Sequence, residues 1–281
     1  KSNVQWIAAL EREVFPKIGS KSVQVVNQAD VLSVLSPIWL TKPETARRIK
    51  QRIKATLDWA RAKGWGEGIH PVEGIERALP RQPRRTQNYA AMPWAELPAF
   101  WSRLASVGGM GALALRFTIL TAARSGEVRG ATWSEIDLED AAWTVPANRM
   151  KAAREHRVPL SGPALALLRE LQPVGSAKTD ALVFPSTKPG KPMSDMTLSA
   201  VLKRMDIACT VHGFRSSFRD WAEDMTSFSH EVKEAALAHV VSNKVEAAYR
   251  RTDLFEKRRT MMDAWASFVT SAGGNVVRLG A

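Results

Sequence analysis

Residues 111–130 read GALALRFTILTAARSGEVRG, and the contrast inside that stretch decides how the rest of the chain is laid out. Its first part, GALALRFTILTAAR, is an almost wholly apolar helix. It has no face to offer to water and must run through the middle of a core. Charge arrives only at its end, where Arg124 comes just as the chain turns in TAARSGEVRG. A guanidinium at the mouth of a buried helix is unfavourable unless an anion meets it. The residues alone leave two readings open. Arg124 forms a structural ion pair with Glu127, or it is aimed at a phosphate while Glu127 braces the turn.

Downstream of this helix, ATWSEIDLED reads as a strand, and AAWTVPANRMKAAREHRVPLS holds two β-like runs flanking a basic turn, as in a hairpin. PALALLRELQPV is an amphipathic helix, ALVFPS a short buried strand, and from Met193 the pattern stays helical to the end. Upstream, WAELPAFWSRLAS opens the same domain, preceded by LPRQPRRTQNYAAMP, with three prolines, three arginines and no apolar period. Such a basic linker suits a chain that wraps a polyanion. The part before it reads as helices only: NVQWIAALEREVFPKIG, NQADVLSVLSPIW with an Asn/Asp start signal, and the basic KPETARRIKQRIKATLDWARAKGW with Ile49, Ile53, Leu57 and Ala60 at helical spacing. The expected organisation is a helical bundle over 1–80, a linker over 81–92 and a second domain over 93–281, mainly α with a small antiparallel sheet.

Charge narrows the partner. Forty Lys and Arg against 28 Asp and Glu give a formal charge of +12. That surplus favours nucleic acid, with an acidic membrane surface as the rival. The basic residues are spread over both domains, not along one amphipathic face, which disfavours the membrane. No window reaches the roughly 18 apolar residues a spanning helix needs, and no apolar leader region follows the first residues, so a cytoplasmic protein is expected. The single cysteine, Cys209, can form neither an internal disulfide nor a Cys-rich zinc site, and in DIACTV it reads as a small buried residue. The opening KSNVQW, without a methionine, suggests a piece of something longer.

A second concentration of chemistry lies in VHGFRSSFRDWAEDM. His212 and Arg215 stand three apart at a helix start and share one face. That makes an anion site at a helix N-terminus, or an ordinary surface pair. Phe214, Phe218 and Trp221 follow at helical spacing and are assigned to the core. His239, in ALAHVV, follows an apolar helix and is equally consistent with a satisfied core histidine. Asn243 with Glu246 forms a capping-box signature that places Tyr249 in the second turn of a short helix. A second such signature, Asp253 with Glu256, opens an amphipathic helix holding Met261, Trp265 and Phe268. A tyrosine on a brief element between two anchored ones is oddly placed for packing, though packing is what most tyrosines do.

Taken together, the arginine of A-R-S-G-E, a lysine in a basic hairpin, H-x-x-R, L-A-H and a tyrosine ten residues later resemble the tyrosine recombinases, also called phage integrases. KPETARRIKQRIKATLDWARAKGW, HRVPLS, VHGFR and NKVEAAYRRTDLFEKRRTMMDAW are most similar to the integrases of prophages and genomic islands. The resemblance covers nearly the whole chain: the first helices are similar to that family's core-binding domain, the later part to its catalytic domain. It implies a further N-terminal arm-binding domain outside this chain.

Carried over residue by residue, the resemblance implies that Arg124 and Arg215 clamp the phosphate, His212 is the histidine of the second box and Glu127 supports Arg124. It implies Lys151 as the hairpin lysine, although Arg149, Arg154 and Arg157 share that hairpin. His239 occupies the position where the family has histidine or tryptophan, and Tyr249 is the nucleophile. The implied activity is site-specific recombination through a covalent 3′-phosphotyrosine, needing no metal and no cofactor. Guanidiniums stabilise the charge that builds on a five-coordinate phosphorus, a phenol with an ordinary pKa near about 10 loses its proton as it attacks, and the leaving 5′-oxygen gains one. The implied partners are double-stranded DNA at attachment core sites, a tetramer on synapsed DNA and accessory DNA-bending proteins, in the bacterial nucleoid. A topoisomerase using the same phosphotyrosine and a non-catalytic DNA-binding regulator are the alternatives.

Overall fold

In this computed structural model the described residues are 2–82, 90–172, 179–239 and 253–271. The chain divides into two compact units, Lys1–Thr86 and Gln87–Ala281.

The first unit holds helices α1 (Ser2–Glu13), α2 (Phe15–Ile18), α3 (Gln28–Trp39) and α4 (Pro43–Ala62) and a 3-10 turn at Ile75–Ala78. The stretch NVQWIAALEREVFPKIG gives two helices, because Pro16 sits in the first turn of α2, where a missing N–H leaves no hydrogen bond unmade. At the start of α3 the Asn27 side chain accepts from the Asp30 N–H and the Asp30 carboxylate accepts from the Asn27 N–H, both at 3.1 Å. In α4, Ala46, Ile49, Ile53, Leu57 and Ala60 are buried on one face. Arg47, Arg48 and Lys54 remain exposed, so the same helix turns basic side chains to solvent.

The second unit holds α5 (Leu97–Ala105), α6 (Met110–Thr121), α7 (Ser125–Arg129), α8 (Gly162–Leu171), α9 (Thr197–Arg204), α10 (Gly213–Met225), α11 (His230–Ala236) and α12 (Phe255–Thr270). As its composition demands, α6 is the core helix, with Ala114, Leu115, Phe117, Ile119 and Leu120 all buried. It ends on Ala122 in the left-handed region at φ 48°, an uncommon backbone for alanine that swings the chain sharply into Arg124. Strands β1 (Ile136–Asp137), β2 (Ala142–Val145) and β3 (His156–Pro159) form one antiparallel sheet in that order. The β2–β3 register pairs Val145 with His156 and Trp143 with Val158, so the expected hairpin is present with its basic turn between.

Three local expectations change. ATWSEIDLED forms a 3-10 turn at Trp133–Glu135 before the two-residue β1, not one strand. ALVFPS buries Val183 and Phe184 as expected but makes only isolated bridges, Thr132 to Leu182 and Pro185 to Pro192. Prolines on both sides of the second bridge have no N–H for a ladder. Helix α12 begins at Phe255 after a left-handed Leu254, and Asp253 accepts from the Phe255 N–H at 3.1 Å in place of the expected box with Glu256.

Aromatic packing locks α12 and α10 against the end of α6. The Trp265 indole donates to the Ile119 carbonyl at 2.8 Å, and its ring lies 5.2 Å from Phe218 and 5.1 Å from Trp221. Gly213 lets the start of α10 close on residues 90–91, since a Cβ there would collide with the Ala90 carbonyl and reach 2.9 Å from the Ala91 Cα. Cys209 is half-buried, and burial pushes its thiol up to about 11, as suits a small packing residue. No described helix is long and apolar enough to cross a membrane.

Candidate active site

Arg215 is fixed by two helix ends. Its side chain is 5% exposed, one Nη donates to the carbonyl of Ala122 after α6, and the other donates to that of Leu237 after α11 at 2.6 Å. Carbonyls at helix C-termini carry partial negative charge, so they hold a guanidinium without neutralising it. Burial, then the neighbouring Arg124, draws its pKa down to about 10, which leaves it charged at neutral pH. Arg124 is held differently. The buried Glu127 carboxylate accepts from the Arg124 backbone N–H at 2.9 Å and from its Nη1 at 2.7 Å. One carboxylate thereby caps α7 and aims the side chain, and both open readings of Arg124 keep this pair.

His212 stands at the N-terminal end of α10 and is exposed to solvent. Desolvation of its inner side, followed by Arg215, Arg124, His239 and Lys151, holds its pKa below the ordinary imidazole value. All four of those side chains are therefore within electrostatic reach of one ring. His239 is not a core histidine: it is partly exposed after α11, and its Nδ1 meets Glu234 Oε2 at 2.7 Å. Burial works against the charge on Glu234, but His239 and Arg219, the latter 3.3 Å from Oε1, hold it below the usual carboxylate range. The carboxylate fixes the orientation of the imidazole through its Nδ1.

The hairpin candidates separate cleanly. Lys151 and Arg154 are exposed in the turn between β2 and β3. Arg149 is engaged below the turn, donating to both oxygens of Glu135 and to the Glu127 carbonyl. Arg157 lies over the Phe255 ring at 4.0 Å. Tyr249 and the chain's other tyrosine, Tyr89, lie outside the described residues. Arg258, 1% exposed, donates to the Asp253 carbonyl at 2.8 Å and to its carboxylate at 3.2 Å. Its third donor reaches the Arg157 carbonyl, tying Asp253 to β3.

Glu234 and Arg258 carry no signal in the sequence, and Arg149 shows there only as one of three arginines sharing the hairpin of Lys151. His156, opening β3, is held down to about 3 by burial and by Arg258, Arg124 and Arg215, so it is a neutral ring beside the arginines. In the sequence its neighbourhood shows only as HRVPLS, a β-like run and one of the motifs that carry the family resemblance, with no role implied for the histidine. Among the described residues no three His, Cys, Asp or Glu side chains gather as a metal-binding group. The site's chemistry is that of fixed positive charge flanked by imidazoles, which suits an anion whose charge grows during reaction.

Comparison with known proteins places the chain. A model described as the phage integrase family matches residues 102–253, and one for the phage integrase central domain matches residues 1–73. The chain belongs to the phage integrase family. The prophage integrase IntA of Escherichia coli is 35% identical over 276 residues, covering 96% of this chain and 65% of that protein. The integrase of enterobacteria phage P4 is 31% identical, covering 95% of this chain and 66% of that one. The chain therefore spans just under two thirds of the length of these relatives. In fold it is similar to lambda integrase residues 75–356, solved as a dimer bound to a COC′ core site, with a TM-score of 0.63 at 17% identity over 90% of this chain and 88% of that one.

Proposed function

We propose that this chain carries the core-binding and catalytic parts of a site-specific DNA recombinase that integrates or excises a mobile element. The observation that carries the reading is the pair of fixed guanidiniums at the end of α6, Arg124 aimed by Glu127 and Arg215 bound to the Ala122 and Leu237 carbonyls, with His212 at the start of the helix that carries Arg215. In the proposed reaction the Tyr249 phenol gives its proton to a base such as His212 and its oxygen attacks the scissile phosphorus. The bond from phosphorus to the 5′-oxygen breaks, and Lys151 donates the proton that this oxygen takes up. Arg124 and Arg215 stabilise the five-coordinate phosphorane, and His239, oriented by Glu234, adds a further donor. A 5′-hydroxyl from a second duplex reverses the step, which exchanges strands without ATP. The +12 charge and the exposed basic side of α4 support duplex DNA as the partner of both units. A tetramer on synapsed sites, accessory bending proteins and a place in the nucleoid belong to the same proposal.

The test uses a nicked duplex carrying the junction at which the encoding element is integrated. Wild-type protein should form a denaturant-resistant protein–DNA adduct. Tyr249→Phe removes one oxygen and should abolish the adduct with DNA affinity intact, whereas Tyr89→Phe should leave it. An adduct that survives Tyr249→Phe would sink the assignment. A wild-type protein that binds this junction and never forms an adduct would favour a non-catalytic regulator.

A further inference from the structure

We infer that Arg149 is the positioning residue that delivers Lys151 to the leaving oxygen; this rests on the proposed recombinase reading of the same site. Arg149 ends the 3-10 turn Ala147–Arg149 directly after β2, two residues before Lys151. Its Nη1 donates to both Glu135 oxygens and its Nη2 to the carbonyl of Glu127. Glu135 is itself held by the wholly buried Trp143, whose indole donates to it at 3.0 Å. Glu127 is the carboxylate that aims Arg124. One guanidinium thus joins the base of the hairpin to the turn that carries a phosphate-clamping arginine.

Gly130 is shaped to this joint. A Cβ at residue 130 would stand 3.0 Å from Arg149 Nη2 and 3.4 Å from Cζ, so any larger residue there would push the guanidinium aside by a few tenths of an ångström. Met150 is buried, pinning the residue between joint and lysine. Lys151 is exposed, and its long side chain has several rotatable bonds. Where its Nζ sits relative to the phosphate held by Arg124 is therefore set by the hairpin's base. With both Nη atoms occupied, Arg149 is a poor candidate for phosphate binding.

General-acid delivery can be separated from structure by changing the leaving atom. A substrate with sulfur in place of the 5′-bridging oxygen expels a thiolate, whose ordinary pKa near about 8.5 needs no donated proton. Single-turnover cleavage of oxygen and sulfur substrates would be compared for Lys151→Ala, Arg149→Met, Gly130→Ala and Arg124→Ala. Arg149→Met should slow the oxygen substrate on the order of 100-fold, as expected for a misplaced catalytic group, with DNA affinity retained. Like Lys151→Ala, it should recover on sulfur. Gly130→Ala displaces the guanidinium without removing it and should give a smaller loss with the same recovery, which keeps the test open if Arg149→Met folds poorly. Arg124→Ala should stay slow on both.

Arg149→Met equally slow on both substrates, or unaffected on both, would overturn the inference. If Lys151→Ala itself failed to recover on sulfur, the acid assignment would fall and the inference with it. A wild-type protein inert on both would mark the recombinase reading, not the joint, as the error.

Discussion

Acid should destabilise this protein in part through a single imidazole. His156 opens β3 opposite Val145 and faces Arg258, Arg124 and Arg215, with Asp253 opposing them. Burial first and those guanidiniums second hold its pKa down at about 3. The folded value lies below the unfolded one of about 6.5, so the unfolded chain binds the extra proton between the two. Stability from this group is complete above about pH 6.5 and is lost as pH falls towards 3. At pH 5 the unfolded ring is favoured by protonation roughly 30-fold and the folded ring hardly at all, a loss of about 2 kcal/mol relative to pH 8. That figure is nearly the same for any folded pKa below about 4.5. Urea unfolding of the wild type and His156→Gln at pH 8 and pH 5 measures it. The wild type should lose about 2 kcal/mol more than the variant between the two conditions, because every other titrating group is common to both. Equal losses would refute a neutral His156 among the arginines.

Substituting Arg124 or Arg215 by alanine should slow single-turnover cleavage by on the order of 100-fold or more while weakening DNA binding little, because many other cations already hold the backbone. Near-normal cleavage by both variants, measured as adduct formation, would remove the phosphate clamp. Duplex affinity should fall by about a thousandfold between about 50 and 200 mM salt if six or so phosphates are contacted. An affinity that titrations find unchanged over that range would contradict a phosphate-dominated interface.

Much of this architecture was legible because the deciding signals are local. The apolar run of α6 has one physical destiny, Asn27 and Asp30 cap α3 within four residues, and the inward face of α4 repeats at helical spacing. The pairing of Arg124 with Glu127 is likewise a one-turn interaction. What remained hidden is long-range. Arg149 reaches Glu127 across 22 residues, and Arg258 reaches Arg157 across 101. Neither has a sequence neighbour that announces its partner. Glu234 lies five residues before His239, a spacing that a continuous helix would not bring face to face, and the pair meets because α11 ends between them. The failure of ALVFPS to form a strand has a chemical cause, since Pro185 and Pro192 withhold the N–H groups that a ladder uses.

The two arginines at the centre of the site are held by opposite means, and the difference bears on what each can contribute. Arg124 is matched to a carboxylate, so its charge is compensated and its chief gain is direction. Arg215 is matched to two neutral carbonyls, each at a helix C-terminus, so it is desolvated and anchored but retains a full positive charge. In the proposed reaction a charge kept in a partly dry place is the more effective one towards a phosphate that becomes more anionic, because little solvent must reorganise. Helix α6 supplies both terms: its left-handed end at Ala122 turns Arg124 out of the core and presents the carbonyl that Arg215 needs. The apolar helix that must be buried is therefore also the element that fixes how far apart the two guanidiniums stand.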